Sequence, residues 1–188
     1  NDHSSPNYPR HPGKIATRAE AREFLDNYDC GIRFTDDNIA QIIDLLKEKG
    51  LYGEDLAIIV TSDHGENMGE LGLYGEHGTA DEPTCHIPMI IKGLAAKGFY
   101  DNVDLLPTVK ELLGTPLFGK HYQYDGVSYA KTLLDGADCS KESLVLTQCC
   151  HVCQRSARFG DYVYIRTIHG GYHLFPEEML FNVKEDPH

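Results

Sequence analysis

A carboxylate and an imidazole stand side by side at Asp63 and His64, and a second imidazole follows at His77. Carboxylates suit hard divalent cations and imidazoles softer ones, and a cation held there would stabilise charge developing on an oxyanion. His77, when protonated, can hold an anionic oxygen or give its proton to a departing alkoxide. Gly69, Gly72, Gly75 and Gly78 punctuate this stretch and let the backbone approach whatever the three side chains hold. The plainer alternatives are a turn capped by Asp63, a packed His64 and a loop His77 bonded to backbone.

The elements that must position these residues flank them. Leu56-Ala57-Ile58-Ile59-Val60-Thr61 is uncharged and rich in β-branched residues, the pattern of a strand covered on both faces as in a parallel sheet. Asp63 and His64 then fall just beyond its carboxyl end, where open α/β sheets collect ligands. The chain re-enters at Ile87-Pro88-Met89-Ile90-Ile91. Upstream, Thr17 and Glu20 have capping-box spacing and open a helix with Phe24, Leu25 and Tyr28 on its apolar side. Ile32, Ile39, Ile42, Ile43 and Leu46 continue that stripe, in the same helix or a second one, before Gly50 stops it. Asp36 and Asp37 read as part of its solvated face. A further helix spans Asp101 to Gly114, capped by Asp101, Asn102 or Asp104, with Pro107 in its first turn and Leu105, Leu106, Val109, Leu112 and Leu113 buried. Pro116 blocks its extension. From Ser143 the texture changes to short strands at 144–146, 162–165, 172–174 and 179–181, an antiparallel sheet.

These blocks carry a resemblance. T-S-D-H-G-E (61–66), G-E-H-G (75–78) and H-I-P-M-I-I (86–91) resemble the second half of a formylglycine-dependent sulfatase, a family with the alkaline-phosphatase-like α/β fold. Tyr28 to Leu46, V-D-L-L-P-T (103–108) and Met179 to Pro187 resemble three further family segments, in the family's order. The fold implied is α/β: part of an alkaline-phosphatase-like sheet flanked by helices over 1–118, then a linker and small antiparallel β subdomain over 119–188. The resemblance makes Asp63 and His64 two ligands of a divalent metal, calcium by family habit and manganese by the imidazole. It makes His77 a catalytic and substrate-binding residue where many members carry Lys, and Leu71 a replacement for a common His. His86 stands where Arg is frequent and reads as structural. The C-terminal subdomain borders the pocket in similar enzymes, so His173 is a candidate substrate contact among His151, Arg155, Arg158, Arg166 and His169, which individually read as surface residues.

None of the six cysteines lies in the C-x-P-S-R or C-x-A-x-R motif from which the family makes its formylglycine. The nucleophile is therefore expected in an N-terminal half of the same protein, which would be this chain's partner, and the chain alone is expected to be inert. The substrate implied is a sulfated small molecule or carbohydrate. A phosphonate monoester or phosphodiester hydrolase of the same superfamily fits the blocks too, as does a non-catalytic binding module.

Composition limits the rest. In 188 residues, 29 Asp and Glu face 17 Lys and Arg, a balance that argues against nucleic acid as partner. No apolar run reaches the ~20 residues of a membrane helix. Vicinal Cys149 and Cys150 do not suit a secreted disulfide framework, so the thiols are expected reduced and buried. C-C-H-V-C (149–153) has zinc-type ligands but no second half to complete four.

Overall fold

A computed structural model describes residues 15–115 and 123–186. The leading proline-rich segment, the stop at Pro116, the 118/119 boundary and Pro187 lie outside them. Along the chain run α1 (Arg18–Glu48), β1 (Ile59–Thr61), β2 (Asn67–Met68), β3 (Tyr74–Glu76), α2 (Glu82–Cys85), β4 (Met89–Ile91), α3 (Asn102–Leu113), α4 (Ala130–Asp135), β5 (Ser143–Gln148), β6 (Cys153–Phe159), β7 (Tyr162–His169) and β8 (Glu178–Asn182). They form two compact units. One holds the described residues up to Ala57 together with Glu66–His77; the other holds Ile58–Gly65 and the described residues from Gly78 on. No described helix is long and apolar enough to cross a membrane.

In the first unit the capping box forms as its spacing predicts. Glu20 N–H donates to Thr17 Oγ1 (3.2 Å) and Thr17 N–H to Glu20 Oε2 (2.9 Å). Gly31 does not break the helix, which runs unbroken for 31 residues to a cap at Lys49. Its apolar stripe, expected to be buried, is not: no α1 residue is buried, and Phe34 is 71% exposed. Periodicity fixes which side of a helix is apolar but not what covers it. Phe24 meets Tyr74 edge-on at 5.8 Å. β2 and β3 pair antiparallel around a 3-10 turn in which Leu71 takes φ 55°, a left-handed conformation costly for a branched side chain.

In the second unit β1 pairs antiparallel with β4, Ile59 opposite Ile91 and Thr61 opposite Met89. This corrects the expected parallel strand covered on both faces: β1 is half-buried to exposed, and Ile90 is exposed. A continuous apolar run reports how much cover a strand seeks, not the direction of its neighbour.

α3 is capped by a second box, in which Val103 N–H donates to Asp101 Oδ1 and Asp101 N–H to Asp104 Oδ2 (2.9 Å). Its buried residues are Asp104, Pro107 and Thr108 rather than the leucines, and Pro107 lies inside the helix, beyond the first turn. The reason is a polar hub. Asp104 Oδ1 accepts from Val127 N–H (2.8 Å), Oδ2 also accepts from Lys141 Nζ (2.5 Å), and Thr108 Oγ1 accepts from Tyr129 N–H (3.0 Å). Pro107 cannot donate to the carbonyl of Val103. Gly126 packs onto that carbonyl so closely that a Cβ would lie 1.9 Å from its oxygen. V-D-L-L-P-T is thus a device that ties α3 to α4 and to the start of β5.

The C-terminal sheet is antiparallel in the order β5-β6-β7-β8. Val163 and Ile165 of β7 supply its buried apolar positions. β6 escapes sequence reading because its buried positions are Gln154 and Ser156, which break any apolar alternation. The expected strand at 172–174 is instead a turn, with Tyr172 and Leu174 fully exposed. Gly170-Gly171 turns the chain without starting a strand.

Candidate functional site

Asp63 and His64 follow β1 directly and line a cleft of about 1090 Å³ in the second unit. Glu82, His86, Tyr129 and Arg158 line it as well. The polar loop is held from beneath: Gly65 N–H donates to Thr84 O (2.8 Å), and a Cβ on Gly65 would stand 1.9 Å from Pro83 O. Only glycine allows the loop to lie this close to α2.

The Asp63 carboxylate is 86% exposed on its side chain. Its own N–H and that of His64 (3.0 Å) hold it below the usual carboxylate range, with a further contribution from the His64 ring. His64 Nδ1 lies 2.8 Å from Gly65 O. A proton on Nδ1 satisfies that contact and makes Nε2 the acceptor. Nε2 sits 3.8 Å from Asp63 Oδ2. Anchoring one ring nitrogen on a carbonyl fixes the direction of the other, as it does in histidines that ligate metals. The donor set therefore fits a divalent cation shared by Oδ2 and Nε2, with remaining ligands to come from elsewhere.

His77 belongs to the first unit, where its Nδ1 lies 3.4 Å from Glu66 Oε1. Glu66 is mostly buried, so its carboxylate orients the ring. His173 sits in the turn after β7, its ring 5.2 Å from that of Phe175, and is not among the residues lining the cleft.

Sequence reading passed over the second charged group of the cleft. Glu82 Oε2 accepts from Arg158 Nε (3.0 Å), and Glu82 Oε1 lies 3.2 Å from His86 Nδ1. Arg158, expected on the surface, is 13% exposed on its side chain and lies over the Phe99 ring. Burial pushes the Glu82 carboxyl up, but His86 and Arg158 outweigh it and the net shift is downward. Glu82 in turn raises His86. Glu82 and Arg158 are far apart in sequence, and no local spacing announces their pairing.

The thiols depart from expectation in one respect. All six are unbridged, as expected, but Cys30, Cys149 and Cys150 are exposed and none is fully buried. Each exposed one lies on an uncovered helix side or in a hairpin loop, where small size does not secure burial. Burial pushes Cys85, on the cleft wall, up to about 12, so it stays a neutral thiol and no nucleophile at pH 7.

Comparison with known proteins bears on this geometry. The sulfatase family model, described simply as "Sulfatase", matches residues 1–115, which contain β1, the polar loop and α3. The chain belongs to the sulfatase family. It is 35% identical over 111 residues to the multifunctional alkaline phosphatase superfamily protein PehA of Trinickia caryophylli, covering 54% of this chain and 21% of that one. It is 26% identical over 178 residues to the choline-sulfatase of Rhizobium meliloti (strain 1021), covering 91% and 33%. A solved structure described as in complex with its substrate D-glucosamine-2-N,6-O-disulfate matches with a TM-score of 0.73 at 20% identity, covering 93% of this chain and 38% of that one. The fold is therefore the α/β, alkaline-phosphatase-like fold of the sulfatases. The chain spans between a fifth and a third of the length of these two curated relatives.

Proposed function

We propose that the protein containing this chain hydrolyses sulfate esters of a sulfated small molecule or carbohydrate. Residues 1–118 would contribute to its catalytic α/β domain and 119–188 would form a smaller C-terminal subdomain. The observation that carries this reading is the sulfatase match over residues 1–115, within which Asp63 and His64 share the wall of one cleft. The choline-sulfatase relative and the solved structure with a disulfated sugar support the substrate class.

Asp63 Oδ2 and His64 Nε2 would ligate a divalent cation, calcium first and manganese second. Bound there, the cation supplies Lewis-acid polarisation of a sulfuryl oxygen. His77, oriented by Glu66, would donate a hydrogen bond to the sulfate or protonate the departing alkoxide. His173 would contact the alcohol portion of the substrate. The nucleophile, a formylglycine, would come from an N-terminal half, since no cysteine here has the required motif. The 188-residue chain alone would turn over nothing.

A second reading is favoured by two observations. His64 offers an imidazole, which suits a metal softer than calcium, and the PehA relative is described as multifunctional. In that reading the substrates are phosphonate monoesters or phosphodiesters. The test compares aryl sulfates with aryl phosphonates on the full-length protein, alongside Asp63→Asn and His77→Gln. Sulfate hydrolysis should dominate and fall ~10²-fold or more in each variant. The His77→Gln loss should shrink for leaving groups of low pKa. Faster phosphonate turnover would move the assignment to the second reading. Variants matching wild type, together with indifference to calcium and manganese, would leave a binding module.

A further inference from the structure

The β5–β6 hairpin carries a thiol pair that the sulfatase reading does not use. Gln148 pairs with Gln154 at the end of the β5–β6 ladder. One step further the same register sets Cys149 opposite Cys153, and their sulfurs lie 3.4 Å apart. Both thiols are unbridged; Cys149 is exposed and Cys153 half-buried. Closing a disulfide needs the sulfurs to approach to ~2.05 Å, a contraction that side-chain rotation across neighbouring strands can supply. Among the described residues no other pair of sulfurs is recorded in contact. Cys150, though adjacent in sequence, would require a strained vicinal ring to join Cys149.

The loop between the two sulfurs is well anchored. Gln148 Oε1 accepts from the N–H groups of Cys149 (3.0 Å) and Cys150 (3.1 Å). Gly78 packs so closely on His151 that a Cβ there would meet His151 Cβ at 3.0 Å. Gly171 lies against the His151 carbonyl, where a Cβ would stand 2.3 Å from the oxygen. An anchored loop holds the facing thiols together instead of letting them drift, which raises their effective concentration.

We propose that Cys149 and Cys153 form a reversible dithiol–disulfide site, whose co-reactant is a low-molecular-weight disulfide. The Cys149 thiolate, on the exposed side, attacks the small disulfide, forming a mixed disulfide and releasing one thiolate. The Cys153 thiolate then attacks Cys149 Sγ, closes the protein disulfide and expels the second small thiolate. Two protein thiols are oxidised, one small disulfide is reduced to two thiols, and the two protons pass to the released thiolates. The device clasps the loop that carries His151, the residue backing Gly78.

The test equilibrates the chain with glutathione and glutathione disulfide, blocks remaining thiols with iodoacetamide and maps the tryptic peptide Glu142–Arg155. The exposed-site variant Cys150→Ser retains only Cys149 and Cys153 in that peptide. Expected in wild type and Cys150→Ser is a peptide lighter by two hydrogen atoms, with no alkyl groups on the pair, which takes up two after reduction with dithiothreitol and fresh iodoacetamide. Cys149→Ser and Cys153→Ser should each lose the cross-link, with Cys153→Ser retaining glutathione on Cys149. A stable glutathione adduct in Cys150→Ser, a bridge that includes Cys150, or no oxidation at a poise that oxidises dithiothreitol would overturn the proposal. Far-UV circular dichroism of each variant separates loss of the cross-link from loss of the hairpin.

Discussion

Replacing Asp104 should destabilise the second unit strongly. The carboxylate is buried, and it accepts from Asp101 N–H at 2.9 Å, Val127 N–H at 2.8 Å and Lys141 Nζ at 2.5 Å. Asp104→Ala removes half of the α3 capping box, about 1 kcal/mol. It also orphans a part-buried backbone donor, about 1–3 kcal/mol, and strips Lys141 of a charge-assisted bond of about 1.5–3 kcal/mol. These terms share one carboxylate and do not add fully, so the expected loss is about 3–5 kcal/mol. For a chain of this size that lowers the melting temperature by roughly 10 °C. Asp104→Asn keeps one acceptor and should lose about half as much. The assay is thermal melting by circular dichroism, with hydrogen exchange at the Val127 and Tyr129 amides as local reporters. Burial raises the Asp104 carboxyl, but Lys141 and the two backbone donors outweigh this and leave it lowered. Its contribution is therefore complete above the unfolded value of ~3.9 and lost as pH falls through the lower folded value. A loss below about 1 kcal/mol in Asp104→Ala, or unchanged exchange at Val127, would refute the hub.

Three other outcomes test neighbouring features. Gln154→Leu leaves Ala80 N–H without its 3.0 Å acceptor and Thr167 without its 3.1 Å partner. It should cost about 1–3 kcal/mol and raise Ala80 amide exchange. Gly65→Ala forces a Cβ to within 1.9 Å of Pro83 O, so the loop must move at a cost of about 1–3 kcal/mol, and any cation affinity of the chain should fall with it. Glu82→Gln should bring the His86 titration, followed by NMR, down toward ~6.5. Because Glu82 raises His86 in the fold, that interaction stabilises fully below ~6.5 and is lost as pH rises through the folded value.

Local signals were legible wherever the physics is local. Thr17 forms the capping box its spacing predicts, Asp101 is the cap among the three candidates for α3, and a turn at Gly160-Asp161 closes β6 onto β7. Asp63 and His64 follow a strand, as the apolar run requires. What stayed hidden depends on partners distant in sequence. The direction of the strand beside β1 is set by the path of the chain through α2, which no run of isoleucines encodes. Gln154 is buried because Ala80 and Thr167 each need its amide, so a polar residue occupies a core position. Glu82 and Arg158 are 76 residues apart, and only folding makes the pair visible.

The ribbon of β1 and β4 has a consequence for the candidate metal ligands. It is three residues long on each side and, among the described residues, each strand pairs only with the other. Two short strands alone are marginal in water, so the ledge carrying Asp63 and His64 draws little rigidity from its own hydrogen bonds. Any further chain that paired along the outer edges would decide how firmly those candidate ligands are aimed. Cation affinity measured on the 188 residues alone should therefore be a floor, climbing as the ribbon is stiffened.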